Sequence, residues 1–402
     1  MKLVPIAFLL LLSGFFYCCS TQHKSAGKTN KALLDTIHRN WSHAATQYKH
    51  MTTILPEGRF PKTFYEQTGK LETSNSGWWC SGFYPGSLLY LYEQTKDAKL
   101  LAEANRMLQL LENEKVNTTT HDLGFMMFCS FGNANRLNPS AAYKDILLTS
   151  ARSLSTRFNP IVGAIKSWDG KPNEFLVIID NMMNLELLFW ATRETGDSSF
   201  YKIAVTHAET TIKNHFRPDY SSYHVINYNS ASGAVQEKRT AQGFANESAW
   251  ARGQAWGLYG YTVMYRETKD TRYLNQANKI AQFLLGHPNF PADHIPFWDF
   301  NDPAIPETKR DASAAAIMAS ALLELSSYND DANAASFYKA AESIITTLSS
   351  NKYKAAAGTN GGFLLKHSVG HLPNNTEVDV PLTYADYYFI EAMKRYQEMA
   401  KH

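Results

Sequence analysis

Asn181-Met182-Met183-Asn184-Leu185-Glu186-Leu187-Leu188-Phe189-Trp190-Ala191-Thr192 offers little polar relief, whereas beyond the turn Glu194-Thr195-Gly196-Asp197 apolar residues recur only at Phe200, Ile203, Ala204, His207, Ala208 and Ile212. The first pattern predicts a helix buried on all sides. The second, with steps of three and four, predicts a helix with one apolar stripe and a wet face. Working outward, the same turn returns as Glu93-Gln94-Thr95-Lys96-Asp97 and Glu267-Thr268-Lys269-Asp270, with a looser copy at Tyr328-Asn329-Asp330. Each copy separates an apolar helix from an amphipathic one. Gly253 to Tyr265 is followed by Tyr273, Ala277, Ile280, Ala281 and Leu284, and Ala312 to Leu325 by Phe337 to Leu348. Further helical patterns cover Leu33–Met51, Gly86–Glu112, Phe125–Phe158 and the closing Tyr384–Met399. About twelve helices, six inner and six outer, predict an all-α chain closed as an (α/α)6 barrel of six helical hairpins. Strand signals are confined to short stretches such as Tyr223–Tyr228, which reads as a hairpin inside a loop.

The 402 residues, 44% of them hydrophobic, suffice for one large core, and no low-complexity linker divides the chain after residue 30, so 31–402 reads as a single domain. Lys and Arg number 39 against 37 Asp and Glu. That balance supplies no basic field for nucleic acid or an anionic membrane. Met1-Lys2-Leu3, the apolar run Val4–Tyr17 and a polar exit predict a secretory signal over 1–19, too short for a membrane span, followed by a polar linker over 20–30. A Cys directly after the apolar run also fits a bacterial lipoprotein signal, with a lipid anchor on Cys18 or Cys19 and a periplasmic location. Cys80 and Cys129, 49 positions apart, show no metal spacing.

The chemistry concentrates just before the buried helices. Trp78-Trp79-Cys80-Ser81-Gly82, His121-Asp122-Leu123-Gly124, Ile179-Asp180-Asn181, Trp250-Ala251-Arg252, Arg310-Asp311 and Tyr384-Ala385-Asp386 stand at successive starts. In a barrel with parallel inner helices these starts share one mouth. An Asp in such a place also serves as a helix cap. Asp180 differs in lying between Phe175-Leu176-Val177-Ile178-Ile179 and Met182-Met183, where desolvation raises a carboxyl pKa and suits a general acid. Asp122 stands where helix N–H groups are expected to favour the ionised form. Two carboxylates pushed in opposite directions suit acid-assisted cleavage of a sugar bond. His224 lacks a second His or Cys at ligand spacing, so a hydrogen bond to substrate is expected of it rather than a metal. Arg252, between Trp250 and Trp256, is placed to grip a carboxylate while lying against an indole. No Gly-rich phosphate loop or nucleophile elbow occurs, and neither cofactor nor metal is expected.

These motifs together resemble glycoside hydrolase family 88, the unsaturated glucuronyl hydrolases. The likeness runs in order through Gly82-Phe83-Tyr84-Pro85-Gly86, His121-Asp122-Leu123-Gly124-Phe125, Ile179-Asp180-Asn181-Met182-Met183-Asn184, Thr240-Ala241-Gln242-Gly243-Phe244 and Ser248-Ala249-Trp250-Ala251-Arg252-Gly253-Gln254-Ala255-Trp256-Gly257. The resemblance implies the same barrel and a substrate left by polysaccharide lyases, an oligosaccharide ending in a 4,5-unsaturated uronic acid. It implies that Asp180 protonates C4 of this vinyl ether while water adds at C5. The hemiketal so formed opens and expels the neighbouring sugar. Asp122 assists across the ring, and Trp79, His224, Thr240, Gln242, Arg252 and Trp256 hold the unsaturated sugar. Members that accept sulfated fragments carry Ser-x-x-Ser-x-Lys near the end; here Ser368-Val369-Gly370-His371-Leu372-Pro373 keeps the first Ser, replaces the second by His and lacks the Lys. Ser368 and His371 are accordingly expected to bind substrate, with His371 able to bond a sulfate. Two other readings are an unsaturated rhamnogalacturonyl hydrolase acting on pectin fragments and a non-catalytic glycan-binding lipoprotein.

Overall fold

The structure, a computed structural model, describes residues 30–171, 173–330 and 332–401; the signal and lipid-anchor segment lies outside them. Asn30, read as the end of a linker, instead caps the first helix, its side chain accepting from the Leu33 amide. Among the described residues twelve α-helices follow in order: α1 Lys31–Ile54, α2 Phe83–Thr95, α3 Ala98–Leu111, α4 Asn133–Leu137, α5 Ala141–Ser155, α6 Leu185–Thr195, α7 Ser198–His215, α8 Ala251–Thr268, α9 Thr271–Gly286, α10 Ala312–Ser326, α11 Ala332–Leu348 and α12 Thr383–Met399. A π-helical segment, Gly124–Gly132, and a 3₁₀ turn, Ile179–Asn184, lead into α4 and α6. The inner ring closes through α2, the π segment, the 3₁₀ turn with α6, α8, α10, α12 and back to α2. The outer helices α3, α5, α7, α9 and α11 each pack on the inner element before them, and α1 covers α2 and α12. This is the (α/α)6 barrel.

The repeated turn has a local cause. Thr95, Thr195 and Thr268 each return their hydroxyl to a carbonyl four residues back and accept the amide of Asp97, Asp197 or Asp270. Between them Lys96, Gly196 and Lys269 adopt the left-handed conformation that ends the inner helix. Each Asp then caps the outer helix, accepting from the amide two residues on. The continuous helical reading of Gly86–Glu112 is thereby split at Lys96, and that of Phe125–Phe158 is split at Asn138-Pro139, where Pro cannot continue a helix and Ser140 caps α5. In α10 every residue except Glu324 is buried, and its run of Ala and Ser lets α8, α11 and α12 approach closely.

Among the described residues nine short strands lie in the loops: β1 Phe60–Tyr65, β2 Lys70–Ser74, β3 Phe158–Asn159, β4 Ala164–Ile165, β5 Glu174–Ile178, β6 Val225–Asn229, β7 Val235–Arg239, β8 Ser368–His371 and β9 Thr376–Val380. They pair antiparallel as β1-β2, β3-β4, β5-β6-β7 and β8-β9. The expected hairpin at Tyr223–Tyr228 is instead the middle strand of three. Its register fixes the site, because Ile178 pairs with Val225 and Val225 with Arg239. The residues just past that edge are Asp180, His224 and Thr240.

Candidate active site

The six inner starts meet around one mouth, as a chain of contacts shows. The Trp79 ring lies 4.9 Å from Tyr384 and 5.4 Å from Phe125, and Phe125 lies 5.0 Å from Trp256. Arg252 stacks 4.5 Å from Trp250 and 5.3 Å from Tyr384, and pairs with Asp311 at 3.2 Å. The Phe125 amide donates to the Asn184 side chain at 2.9 Å, tying the Asp122 segment to the Asp180 segment. Gly124 makes this approach feasible: a Cβ there would sit 2.4 Å from the Asn184 Cα.

Asp180 sits in the 3₁₀ turn with one carboxyl oxygen buried and unpaired by protein. Burial lifts its pKa from 3.8 to about 7; Arg252 and the nearby indole of Trp256 oppose the rise, and Asp122 adds to it. A carboxyl so placed still holds its proton near neutrality, the state a general acid requires. His224 faces it, Nε2 lying 3.8 Å from Asp180 Oδ2. The tautomer follows from the other nitrogen. His224 Nδ1 accepts from the Ala241 and Gln242 amides at 3.1 and 3.2 Å, so a neutral ring carries its hydrogen on Nε2, toward Asp180. Burial, reinforced by Arg252, holds the His224 pKa well below 6.5, which keeps the ring neutral. The ring is clasped by Trp250 at 4.6 Å and Trp168 edge-on at 6.1 Å.

Asp122 differs from the sequence expectation in how it is held. Its carboxylate accepts from the Thr120 hydroxyl at 2.6 Å and lies 3.2 Å from His121 Nε2, while Leu123 caps the π segment without a side-chain bond. A hydroxyl and an imidazole, rather than helix amides, orient it. Arg252 also differs. Its guanidinium is buried, with one nitrogen bonded to Asp311 and the Val369 carbonyl and another to the Gly370 carbonyl at 2.7 Å. The fork expected to grip a uronate therefore anchors the β8–β9 arm that carries Ser368 and His371, and its charge reaches the site from behind. Trp256 is wholly buried against Phe125 and Tyr388, so it forms a wall beneath Asp180 rather than an open stacking platform. Its indole N–H has no protein partner.

Thr240 and Gln242 lie half-buried on the loop after β7, where the Thr240 hydroxyl accepts from the Gly243 amide at 2.8 Å. Ser368 is buried with an unpaired hydroxyl; half-buried His371 accepts the Asn374 amide on Nδ1, and burial together with Arg252 lowers its pKa. Sequence reasoning missed Asp299. This fully buried carboxyl accepts from the Phe244 amide at 2.9 Å, the Ser248 hydroxyl at 2.6 Å and the Asn301 amide at 2.9 Å, clamping the loop whose amides set the His224 tautomer. It also missed Trp168 and Glu377, a carboxyl on β9 whose pKa is raised by burial despite Lys62 at 3.5 Å. Phe297-Trp298-Asp299 in a Pro-rich loop is an aromatic–acid cluster that offered a signal. Among the described residues no group of His, Cys, Asp and Glu is arranged to hold a metal ion.

A carboxyl whose pKa is raised toward neutrality, with a second acidic side chain near it and rings walling the mouth of a helical barrel, is an arrangement suited to a glycosidase. Comparison with known proteins sharpens the class. No protein-family model matches the chain. An unsaturated glucuronyl hydrolase from Formosa agariphila is 44% identical over 98% of each chain. An unsaturated chondroitin disaccharide hydrolase from Streptococcus pneumoniae is 32% identical over 79% of this chain and 81% of its own. The crystal structure of an unsaturated glucuronyl hydrolase specific for heparin superposes with a TM-score of 0.88 at 48% identity, covering 92% of this chain and 98% of that one. The chain belongs to the unsaturated glucuronyl hydrolases, and it is an enzyme of the glycosidase class.

Proposed function

We propose that the enzyme removes the 4,5-unsaturated uronic acid from the non-reducing end of glycosaminoglycan fragments left by lyases, with Asp180 as proton donor. The observation that carries this is the Asp180 carboxyl, raised to about 7 and faced by a neutral His224 whose N–H points at it. In this reading the Asp180 proton goes to C4, the C4–C5 π electrons form that new bond, and water adds its oxygen to C5. Asp122 takes the proton released by the water. The C5 hemiketal then opens by breaking the bond to the ring oxygen, and the C1 hemiacetal collapses to release the next sugar as an alcohol. His224 stabilises the Asp180 carboxylate left after transfer by donating from Nε2. Trp79 and Trp168 flank the sugar, and Thr240, Gln242, Ser368 and His371 line its surroundings.

Similarity to the heparin-specific enzyme supports heparin-lyase disaccharides as substrates, and His371 in place of a second Ser supplies an imidazole N–H donor for an anionic group. Incubation with heparin, chondroitin, hyaluronan and pectin lyase products, following the ultraviolet absorbance of the double bond, tests the proposal. Loss of absorbance on a glycosaminoglycan product is expected. Loss on pectin products alone would move the enzyme to rhamnogalacturonan fragments, and loss on none would leave only glycan binding. The apolar run before Cys18 and Cys19 supports export to the periplasm with a lipid anchor; fractionating cells that express the full chain or its Cys18→Ala and Cys19→Ala variants tests that placement.

A further inference from the structure

Trp78 stands beside Trp79 in sequence, yet nothing above uses it. The Trp79 ring turns inward onto Tyr384 and Phe125, whereas Trp78 is 42% exposed, the one large indole among the exposed apolar side chains of the described residues. An isolated exposed apolar residue needs no explanation. Trp78 is not isolated, because it forms one wall of a groove of about 250 Å³ whose other lining includes Arg59, Lys62, Glu72, Thr73 and Asn75. Both walls are held by polar bonds. On the Trp78 side, Ser76 donates to Glu114 at 2.6 Å, and Asn117 braces the same carboxylate at 2.9 Å. On the β1–β2 side, Arg59 grips the Thr73 hydroxyl and carbonyl at 3.1 and 3.0 Å, and Lys62 pairs with Glu72 at 2.9 Å. The Lys62 ammonium lies 5.1 Å from the Trp78 ring centre, which fixes the indole from one face.

The groove adjoins the catalytic mouth at two points. One is the Trp78–Trp79 peptide. The other is Lys62, which reaches 3.5 Å from Glu377 on the β9 arm that borders the site. The charges nearly balance, Arg59 and Lys62 against Glu72 and Glu377, so the groove lacks the net field of an anion trap and offers instead a rigid aromatic face with N–H donors and carboxylates along its rim. That is the chemistry that holds a pyranose ring: apolar C–H surface on an indole, hydroxyls to charged partners. Its volume lies just below the range of about 300–1,000 Å³ usual for drug-sized ligands, room for one or two sugar rings.

We propose that this groove binds the part of a longer oligosaccharide that lies beyond the two sugars at the scissile bond, with Trp78 as the stacking platform. The proposal rests on the function above in that it supposes a saccharide in the mouth. Wild type and Trp78→Ala are compared on an unsaturated disaccharide and an unsaturated tetrasaccharide made by the same lyase. We expect kcat/KM for the tetrasaccharide to fall roughly fivefold to tenfold, with the disaccharide changed less than about twofold and Trp78→Phe intermediate. The unaltered disaccharide rate shows that the variant is folded. An equal loss on both substrates, or none on either, would overturn the groove. Should wild type consume neither saccharide, the hydrolase reading fails separately, and calorimetric binding of the tetrasaccharide decides the groove: weakening by Trp78→Ala supports it, and identical binding by wild type and variant, or no binding to wild type, refutes it.

Discussion

The two ends of the barrel are built from the same kinds of side chain and treat them oppositely. Toward the C-terminal ends of the inner helices, Arg266 bonds Glu324 through one nitrogen at 3.1 Å and Glu186 through another, while Arg395 bonds Glu324, the Ser320 carbonyl and, at 2.7 Å, the Tyr259 hydroxyl. Glu391 accepts from Tyr90, Tyr259 and Ser320. Burial alone raises the Glu324 pKa, yet Arg266 and Arg395 hold it at about 2. At the mouth, Asp180 Oδ2, His224 Nε2, Trp256 Nε1 and Ser368 Oγ are buried without a protein partner, and the carboxyl stays near 7. Leaving such groups unpaired costs stability, about 1–3 kcal/mol each. The paired network at one end and the unpaired Asp180, His224, Trp256 and Ser368 at the other accord with the proposal that substrate supplies partners at the mouth.

The largest effect that probes this contrast is at Asp180. Asp180→Asn cannot donate the proton, and turnover should fall by several orders of magnitude while the fold persists; more than about a tenth of wild-type activity remaining would exclude the role. The same variant should gain stability relative to wild type as pH rises. A carboxyl whose folded pKa is raised from 3.8 to about 7 stabilises the fold fully only below about pH 4, and that contribution is lost as pH climbs through about 7. Relative to wild type, Asp180→Asn should therefore be progressively more stable over that window, by at most about 4 kcal/mol in chemical denaturation. Wild-type kcat should decline as pH rises through about 7, because the acid loses its proton.

At the opposite end the same kind of change should act on stability alone. Glu324→Gln leaves Arg266 and Arg395 short of their shared carboxylate and should cost about 3–5 kcal/mol, with kcat of the folded enzyme nearly unchanged. A variant as stable as wild type, measured by urea unfolding, would show that the network is not what secures that end. Arg252→Lys sits between the two cases. It retains charge behind Asp180 but cannot serve Asp311, Val369 and Gly370 together, so it should cost about 1–3 kcal/mol, expressed as a raised KM from a loosened β8–β9 arm. An unchanged KM and turnover would show that the arm does not depend on it.

What the sequence made legible was whatever local pattern dictates. Alternation of all-round and one-sided apolar helices yields the ring of hairpins, and the Thr-x-Asp turns have caps that explain their recurrence. The apolar flank of Asp180 is local too, since Phe175–Ile178 forms a strand buried along most of its length. Orientation within the site is tertiary and was not legible. His224 reaches Asp180 only because β6 pairs in register with β5, and its tautomer depends on amides of Ala241 and Gln242, 17 and 18 residues on. Asp299 governs that loop from 51 residues beyond Ser248. Arg252 beside two indoles suggested a free fork, and nothing near it in sequence pointed to the carbonyls of Val369 and Gly370, 117 and 118 positions away, that occupy it.

The central claim is that Asp180 delivers its proton to carbon, and isotopic labelling over one turnover tests it most directly. In deuterium oxide, deuterium should appear at C4 of the released keto acid, and in oxygen-labelled water the label should enter at C5, both read by NMR and mass spectrometry. Oxygen label at C1 with no carbon-bound deuterium would contradict the account and make the enzyme an ordinary hydrolase of the glycosidic bond.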